Sequence, residues 1–124
     1  YMVGFPDETE EEIKQNIDFA KINMTYGLDA SNFFLVMPLP GTPMFDETTR
    51  NGQLPKDYDI DRMQWTKANM INTSIPPKKL EEIRQRAWED CNLSDHIKNR
   101  KNWQINDLNT GEIHGDTLKE NNYV

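Results

Sequence analysis

Residues 1–42, YMVGFPDETEEEIKQNIDFAKINMTYGLDASNFFLVMPLPGT, decide the fold. Tyr1-Met2-Val3 reads as the end of a strand, stopped by Gly4-Phe5-Pro6. A helix start follows at once. Thr9 precedes Glu12 by three positions, the spacing at which a hydroxyl and a carboxylate each satisfy an orphan backbone N–H. Glu10, Glu11 and Glu12 place negative charge where the helix dipole favours it. Ile13, Ile17, Ala20 and Met24 recur on one helical face, which predicts that all four are buried. Gly27 predicts a left-handed residue closing the helix. Residues 30–37 read as a second strand. Its half Phe33–Met37 is apolar at every position, the pattern of a strand covered on both faces. Pro38-Leu39-Pro40-Gly41-Thr42-Pro43 can continue neither strand nor helix. Strand, helix and strand in this order predict a parallel pair joined by a crossover, and hence an α/β fold.

Outward from this unit, Thr42 as N-cap and Pro43 at the first helical position predict a short helix through Arg50, closed by Asn51-Gly52. Residues 53–60 read as a loop. Asp61 to Ile71 are expected to be helical, with Met63, Trp65 and Met70 facing inward. Pro76-Pro77 opens a helix to about Cys91 with an inward stripe of Leu80, Ile83, Ala87 and Cys91, and Trp88 on its flank. From Asn92 the chain turns rich in asparagine. Trp103, Ile105, Leu108 and Ile113 are its apolar anchors, which predicts an irregular or partly disordered tail.

The chain has 124 residues, enough for one domain. Its net charge is −7, which argues against a nucleic-acid surface, since that needs a basic face. Phe33–Met37 is the longest unbroken apolar run, far too short to span a membrane. With a mean hydropathy of −0.87 and no export signal at its start, a cytoplasmic protein is expected. An apolar opening at Tyr1 predicts that an upstream part of the same polypeptide precedes it. The single cysteine, Cys91, forms no internal disulfide, and no cysteine–histidine spacing suggests metal ligands, so none is assigned. His96 and His114 read as surface residues, and Lys98, Arg100 and Lys101 as a solvated face.

In a parallel sheet or barrel, loops leaving the C-terminal ends of adjacent strands share one rim, and ligands bind there. Two such loops occur, Gly4-Phe5-Pro6-Asp7 and Pro38-Leu39-Pro40-Gly41-Thr42. They read equally well as tight βα turns. No GxGxxG or GxxxxGK[ST] pattern is present. Asp7, Glu8, Glu10, Glu11 and Glu12 crowd the helix N-terminus that a phosphate would need, so the rim suits a cation rather than an anion.

These residues also carry a resemblance. Met2-Val3-Gly4-Phe5-Pro6-Asp7-Glu8-Thr9, a helix containing Phe19-Ala20-Lys21, and a strand ending in Pro38-Leu39-Pro40-Gly41-Thr42-Pro43-Met44-Phe45 resemble the last third of a radical S-adenosylmethionine domain. Gly52-Gln53-Leu54 matches a later glycine position of that family. The resemblance implies the C-terminal strand–helix–strand portion of a (β/α)6 partial TIM barrel over residues 1–54. A helical extension over 55–92 and a tail over 93–124 would follow.

It further implies an iron–sulfur enzyme that cleaves S-adenosylmethionine reductively to a 5′-deoxyadenosyl radical, which acts on a small-molecule substrate. By position, Met2, Gly4, Phe5 and Pro6 fall on the fifth-strand element of the cofactor pocket, and Met37, Pro38, Leu39, Pro40 and Gly41 on the sixth-strand element. No residue is assigned a catalytic role. The [4Fe–4S] cluster of the family is bound by a CxxxCxxC loop, which belongs upstream and is absent here, so the chain alone is expected to be inactive. Trp65 to Asn92 resemble, more loosely, the segment after the barrel in cobalamin-binding members, which leaves cobalamin held by an upstream domain as a further cofactor. Asp7 departs from the family's glycine; if that position needs a left-handed backbone, Asp7 bears a cost there. Two other readings stand beside this one: a different α/β-barrel enzyme binding a small ligand at its βα loops, and a non-catalytic helical interaction module built on residues 61–92.

Overall fold

Two short strands set the frame. In the computed structural model, which describes residues 1–93, β1 (Met2–Val3) and β2 (Phe34–Leu35) pair in parallel, Met2 opposite Phe34 and Val3 opposite Leu35. The bonds that hold them include Phe34 N–H to Tyr1 O at 2.9 Å and Val36 N–H to Val3 O at 3.0 Å. On the far edge of β2, Leu35 N–H donates to the Trp65 carbonyl at 2.8 Å. β1 has no second strand neighbour among the described residues. Tyr1–Leu93 form one compact unit of mixed α/β structure.

The crossover is α1 (Glu10–Thr25), as the sequence predicts, and both its ends are built as read. Glu12 N–H donates to Thr9 Oγ1 at 3.3 Å while Thr9 N–H donates to Glu12 Oε2 at 2.8 Å. The Thr9 N–H, and with it the Thr9 hydroxyl at 2.8 Å, donate to the carboxylate and hold the Glu12 carboxyl below its ordinary pKa. At the other end Gly27, with φ 111°, donates to Met24 O at 3.4 Å, and Leu28 N–H donates to Asn23 O at 3.2 Å. This paired closure needs a left-handed residue at its turn, which glycine supplies without strain. Ile13, Ala20 and Met24 are buried, but Ile17 is only half-buried. At 3.6 residues per turn Ile17 lies on the margin of the stripe that the other three define.

Side chains alternate along a strand, and the faces of this pair differ. Val3 and Leu35 are buried, whereas Met2 and Phe34 are exposed. The expected cover on both faces of Phe33–Met37 is therefore corrected: Phe33, Leu35 and Val36 are buried, Phe34 is exposed and Met37 half-buried. Phe33 stacks on Tyr1 with ring centroids 5.3 Å apart.

α2 (Pro43–Arg50) starts on Thr42, whose Oγ1 accepts from Phe45 N–H at 3.3 Å. It ends on Asn51-Gly52 as predicted, with Gln53 N–H donating to Thr48 O at 2.8 Å. The helix expected over 61–71 does not form. A single 3₁₀ turn covers Ile60–Arg62, and Met63 already has extended backbone with ψ 144°. The segment's polar groups serve distant partners instead: Trp65 O serves β2, Ala68 N–H donates to Glu81 Oε1 at 3.0 Å, and Ile71 N–H donates to Gln53 O at 2.9 Å. Met70 is buried and Met63 half-buried, but Trp65 is half exposed with its ring edge-on to Phe34 at 5.8 Å.

α3 (Pro77–Asn92) buries Leu80, Ala87 and Cys91, with Ile83 half-buried rather than inward. Arg84 Nε donates to Phe33 O at 2.9 Å. Asn92 clasps the start of the second strand segment: Ser31 N–H donates to Asn92 Oδ1 at 3.0 Å, and Asn92 Nδ2 donates to Ser31 O at 2.7 Å. The ion pairs Lys79–Glu10 and Lys21–Asp90 link α3 to α1, but exposed pairs of this kind add little stability. No helix among the described residues is long and apolar enough to cross a membrane. The tail expected over 93–124, with His96, Lys98, Arg100, Lys101 and His114, lies outside the described residues from 94 onward.

Candidate functional site

The parallel register carries both βα loops to the same end of the strand pair. Local chemistry fixes the first. Gly4 has φ 89°, a left-handed backbone that other residues adopt at a cost. A second reason for glycine lies outside the loop: a Cβ there would meet Leu80 Cδ2 of α3 at 2.6 Å. The Gly4 and Phe5 amides both donate to Glu8 Oε2, at 2.6 Å and 3.1 Å, and Glu8 N–H returns to Phe5 O at 3.1 Å. Asn16 Nδ2 reaches Glu8 Oε1 at 3.4 Å. Glu8 thus closes the turn on itself, and those two amides are engaged before any ligand arrives. Asp7 carries no left-handed cost, because Asn72 is the one non-glycine residue with positive φ among those described.

The second loop is equally self-contained. Leu39 O accepts from Thr42 N–H at 3.1 Å and from Thr42 Oγ1 at 2.7 Å. Pro38 O accepts from the Tyr58 hydroxyl. Burial pushes the Tyr58 phenol above its ordinary pKa, and its ring lies 6.0 Å from that of Phe45 on α2. Gly41, with φ 86°, faces open space.

An open cleft of about 530 Å³ lies between the first loop and α2, lined by Phe5, Pro6, Asp7, Glu8, Glu12, Met44 and Glu47. Of the nine sequence-assigned rim residues, this cleft takes Phe5 and Pro6. Met2 is exposed on the open face of the strands, Gly4 and Pro38 are buried, Met37 is half-buried, and Leu39, Pro40 and Gly41 are exposed on the second loop. Sequence reasoning missed Met44 and Glu47 as cleft residues, and Tyr58 as the partner of the rim carbonyl. Glu8 was legible only as one more acid. The signal that singles it out is its position four and three residues after two loop amides that need an acceptor.

With three carboxylates at the start of α1 (Asp7, Glu8 and Glu12) and one of α2 (Glu47) beside Phe5 and Met44, the cleft combines negative charge with apolar surface. That combination attracts a cationic group carried on an apolar body and repels phosphate. No group of three or more histidine, cysteine or acidic residues is disposed to hold a metal among the described residues. Cys91 is buried in α3, where burial raises its thiol pKa.

Comparison with known proteins adds one likeness. The chain is 33% identical over 72 residues to an uncharacterized methyltransferase of Pyrococcus horikoshii, a match that takes in 58% of this chain and 14% of the relative. The chain therefore spans about a seventh of the length of that relative. No protein-family model matches the chain. No solved structure matches it either.

Proposed function

We propose that this chain forms part of a radical S-adenosylmethionine enzyme, a (β/α)6 partial barrel in which its two βα loops supply one wall of the S-adenosylmethionine pocket. The observation that carries the reading is the pairing of β1 and β2 in parallel, which delivers the Gly4–Asp7 and Pro38–Thr42 loops to one rim. The partly exposed Met2–Phe34 face, and an edge of β1 that pairs with no second strand among the described residues, support it. Parallel sheets are stable when both faces are covered, and two strands alone are marginal. Likeness to a protein named a methyltransferase supports use of a methyl donor of this class.

The residues present fit the organic cofactor. Phe5 and Met44 offer apolar surface, Asp7 and Glu47 offer negative charge to a sulfonium and an ammonium, and the left-handed Gly4 and Gly41 let the backbone turn away from the rim. When bound beside a reduced cluster, S-adenosylmethionine supplies a 5′-deoxyadenosyl radical. What this chain contributes is shape and charge: a turn pre-closed by Glu8, a second loop held by Thr42 and Tyr58, and an acidic wall. The iron–sulfur cluster does not fit here, since the one cysteine is buried within α3, so its ligands would come from outside this sequence. Cobalamin, if used, likewise needs another domain.

The test is product analysis on the longer enzyme that contains this sequence, reconstituted with iron and sulfide and reduced. Formation of 5′-deoxyadenosine supports the reading. S-adenosylhomocysteine alone would replace it with ordinary methyl transfer, and neither product would favour a barrel enzyme with another ligand. Phe5→Ala and Asp7→Asn should weaken S-adenosylmethionine binding while leaving cluster absorbance unchanged.

A further inference from the structure

Residues that line neither wall of the cleft between the first loop and α2 bond to both of its sides. Residues 71–74 cross from one wall to the other. Ile71 N–H donates to Gln53 O at 2.9 Å, just beyond the end of α2. Asn72 Nδ2 donates to Gly52 O at 3.1 Å, and Gln53 Nε2 returns to Asn72 O at 3.4 Å. Two residues later, Ser74 N–H donates to Pro6 O at 3.0 Å, on the opposite wall. Asn72 sits at the bend with φ 55°, the one non-glycine residue in the left-handed region among those described. Such a backbone is strained for most side chains and persists where its surroundings hold it. Asparagine is among the few residues that tolerate it.

We propose that Asn72 is a positioning residue, and that the 71–74 strap sets the separation of the two cleft walls. The strap ties Pro6, and so the Glu8-closed loop, to the C-terminal end of α2 through three hydrogen bonds at the Gly52–Gln53 end and one at Pro6. Buried against it, Gln53 is 7% exposed and leaves its Oε1 without a protein partner, so the joint is polar and closely packed rather than a loose crossing. A change of dihedral at Asn72 would move Ser74 relative to Gln53 and so change the gap between Phe5 and Met44. This goes beyond the cofactor reading, because it concerns what fixes the cleft and not what fills it.

Site-resolved amide exchange on the full 124-residue chain, followed by NMR without ligand, tests it. Asn72→Ala removes the Nδ2 donor and puts a poorly tolerated side chain at positive φ. Asn72→Gly removes the donor but keeps the backbone conformation. In Asn72→Ala, the Ser74, Ile71 and Glu8 amides should exchange about tenfold faster or more, since one hydrogen bond and one left-handed residue are both affected. The Ala87 amide of α3 should stay within about twofold, as expected for local rather than global opening. Asn72→Gly should recover part of the loss, a rescue that ordinary destabilisation does not give. Equal acceleration at Ser74, Glu8 and Ala87, or no acceleration at Ser74, would overturn the proposal. If Asn72→Ala does not fold, the same comparison is read from Asn72→Gly, where Ser74 and Glu8 must be accelerated over the parent chain and Ala87 must not; equal acceleration at all three, or none at Ser74, overturns the proposal there too. The readout needs no ligand, so it is decided independently of whether the cleft holds S-adenosylmethionine.

Discussion

Replacing Gly4 by alanine tests the packing beneath the rim. Two penalties add at this position. The backbone has φ 89°, and an L-residue forced into the left-handed region costs roughly 1–2 kcal/mol. The new methyl also falls 2.6 Å from Leu80 Cδ2 and 3.4 Å from Leu80 Cδ1. Overpacking of that kind costs about 1–3 kcal/mol, and the lower half of that range applies because the obstacle is the tip of a rotatable side chain. The expected loss is about 2–4 kcal/mol. Gly41→Ala is the internal control: its φ is 86°, and nothing lies within 4 Å of the added carbon. Both substitutions stiffen the unfolded chain to the same extent, so that contribution cancels between them. The difference between the two variants isolates the clash with Leu80. Urea unfolding followed by circular dichroism supplies the numbers, with the midpoint expected to move at constant slope. Leu80→Ala alone should cost ~2–5 kcal/mol, yet in the double variant the vacated space accepts the new methyl, so the two losses should fall short of their sum by about 1 kcal/mol or more. Equal losses for Gly4→Ala and Gly41→Ala, or strict additivity with Leu80→Ala, would refute the reasoning.

Ile13→Ala should destabilise by ~2–5 kcal/mol and Ile17→Ala by clearly less in the same urea assay, since Ile13 is 1% exposed and Ile17 only half-buried. Thr9→Ala should cost ~0.5–2 kcal/mol through the lost helix cap. It should also flatten the acid limb of the stability–pH curve in part, since the Thr9 backbone N–H, the larger cause of the shift, survives and only the hydroxyl is lost. The Glu12 carboxyl is held below its ordinary pKa by Thr9, so its contribution is present above the unfolded-state value and lost as pH falls through the folded one. Tyr58→Phe should cost about 0.5–1.5 kcal/mol by removing the bond to Pro38 O. Its burial raises the phenol pKa, so that residue favours folding below the unfolded-state value and loses the effect as pH rises through the folded one. An alkaline titration of stability should show that fall in the parent chain and not in Tyr58→Phe.

Elements whose signals are local were legible in the sequence. The Thr9–Glu12 box, Gly27 after α1, Thr42-Pro43 before α2 and Pro76-Pro77 before α3 each act within a few residues, and each stands where the pattern puts it. Parallel pairing followed from a topological rule that also needs no distant partner. The failures share a different cause. Residues 61–71 carry helical spacing, but Trp65, Ala68 and Ile71 direct their main-chain groups to β2, Glu81 and Gln53, partners that a sequence window does not contain. Phe34 is apolar, yet the strand face it occupies is only partly covered among the described residues, with Trp65 edge-on to its ring. At the site, composition was legible and connectivity was not. The acids were seen as a crowd, whereas the structure gives the four on the cleft wall different ties: Glu8 is bonded to two amides and Glu12 to Thr9, alongside Asp7 and Glu47.

That separation bears on what the rim can recognise. The Gly4 and Phe5 amides are engaged by Glu8, and the Pro38 and Leu39 carbonyls by Tyr58 and Thr42, while Pro40 has no N–H to offer. The internal bonds have a second effect. A loop whose polar groups are satisfied before binding loses little freedom when a ligand arrives, and recognition then rests on surfaces already in place. Those surfaces are the exposed side chains of Phe5 and Leu39 on the two loops and the carboxylates of the cleft. A rim of this composition selects by apolar shape and positive charge, and it has few free donors with which to hold an anion. Phosphate-bearing nucleotides are therefore poor occupants on physical grounds, and the proposed cofactor pocket favours a cation carried on an apolar body.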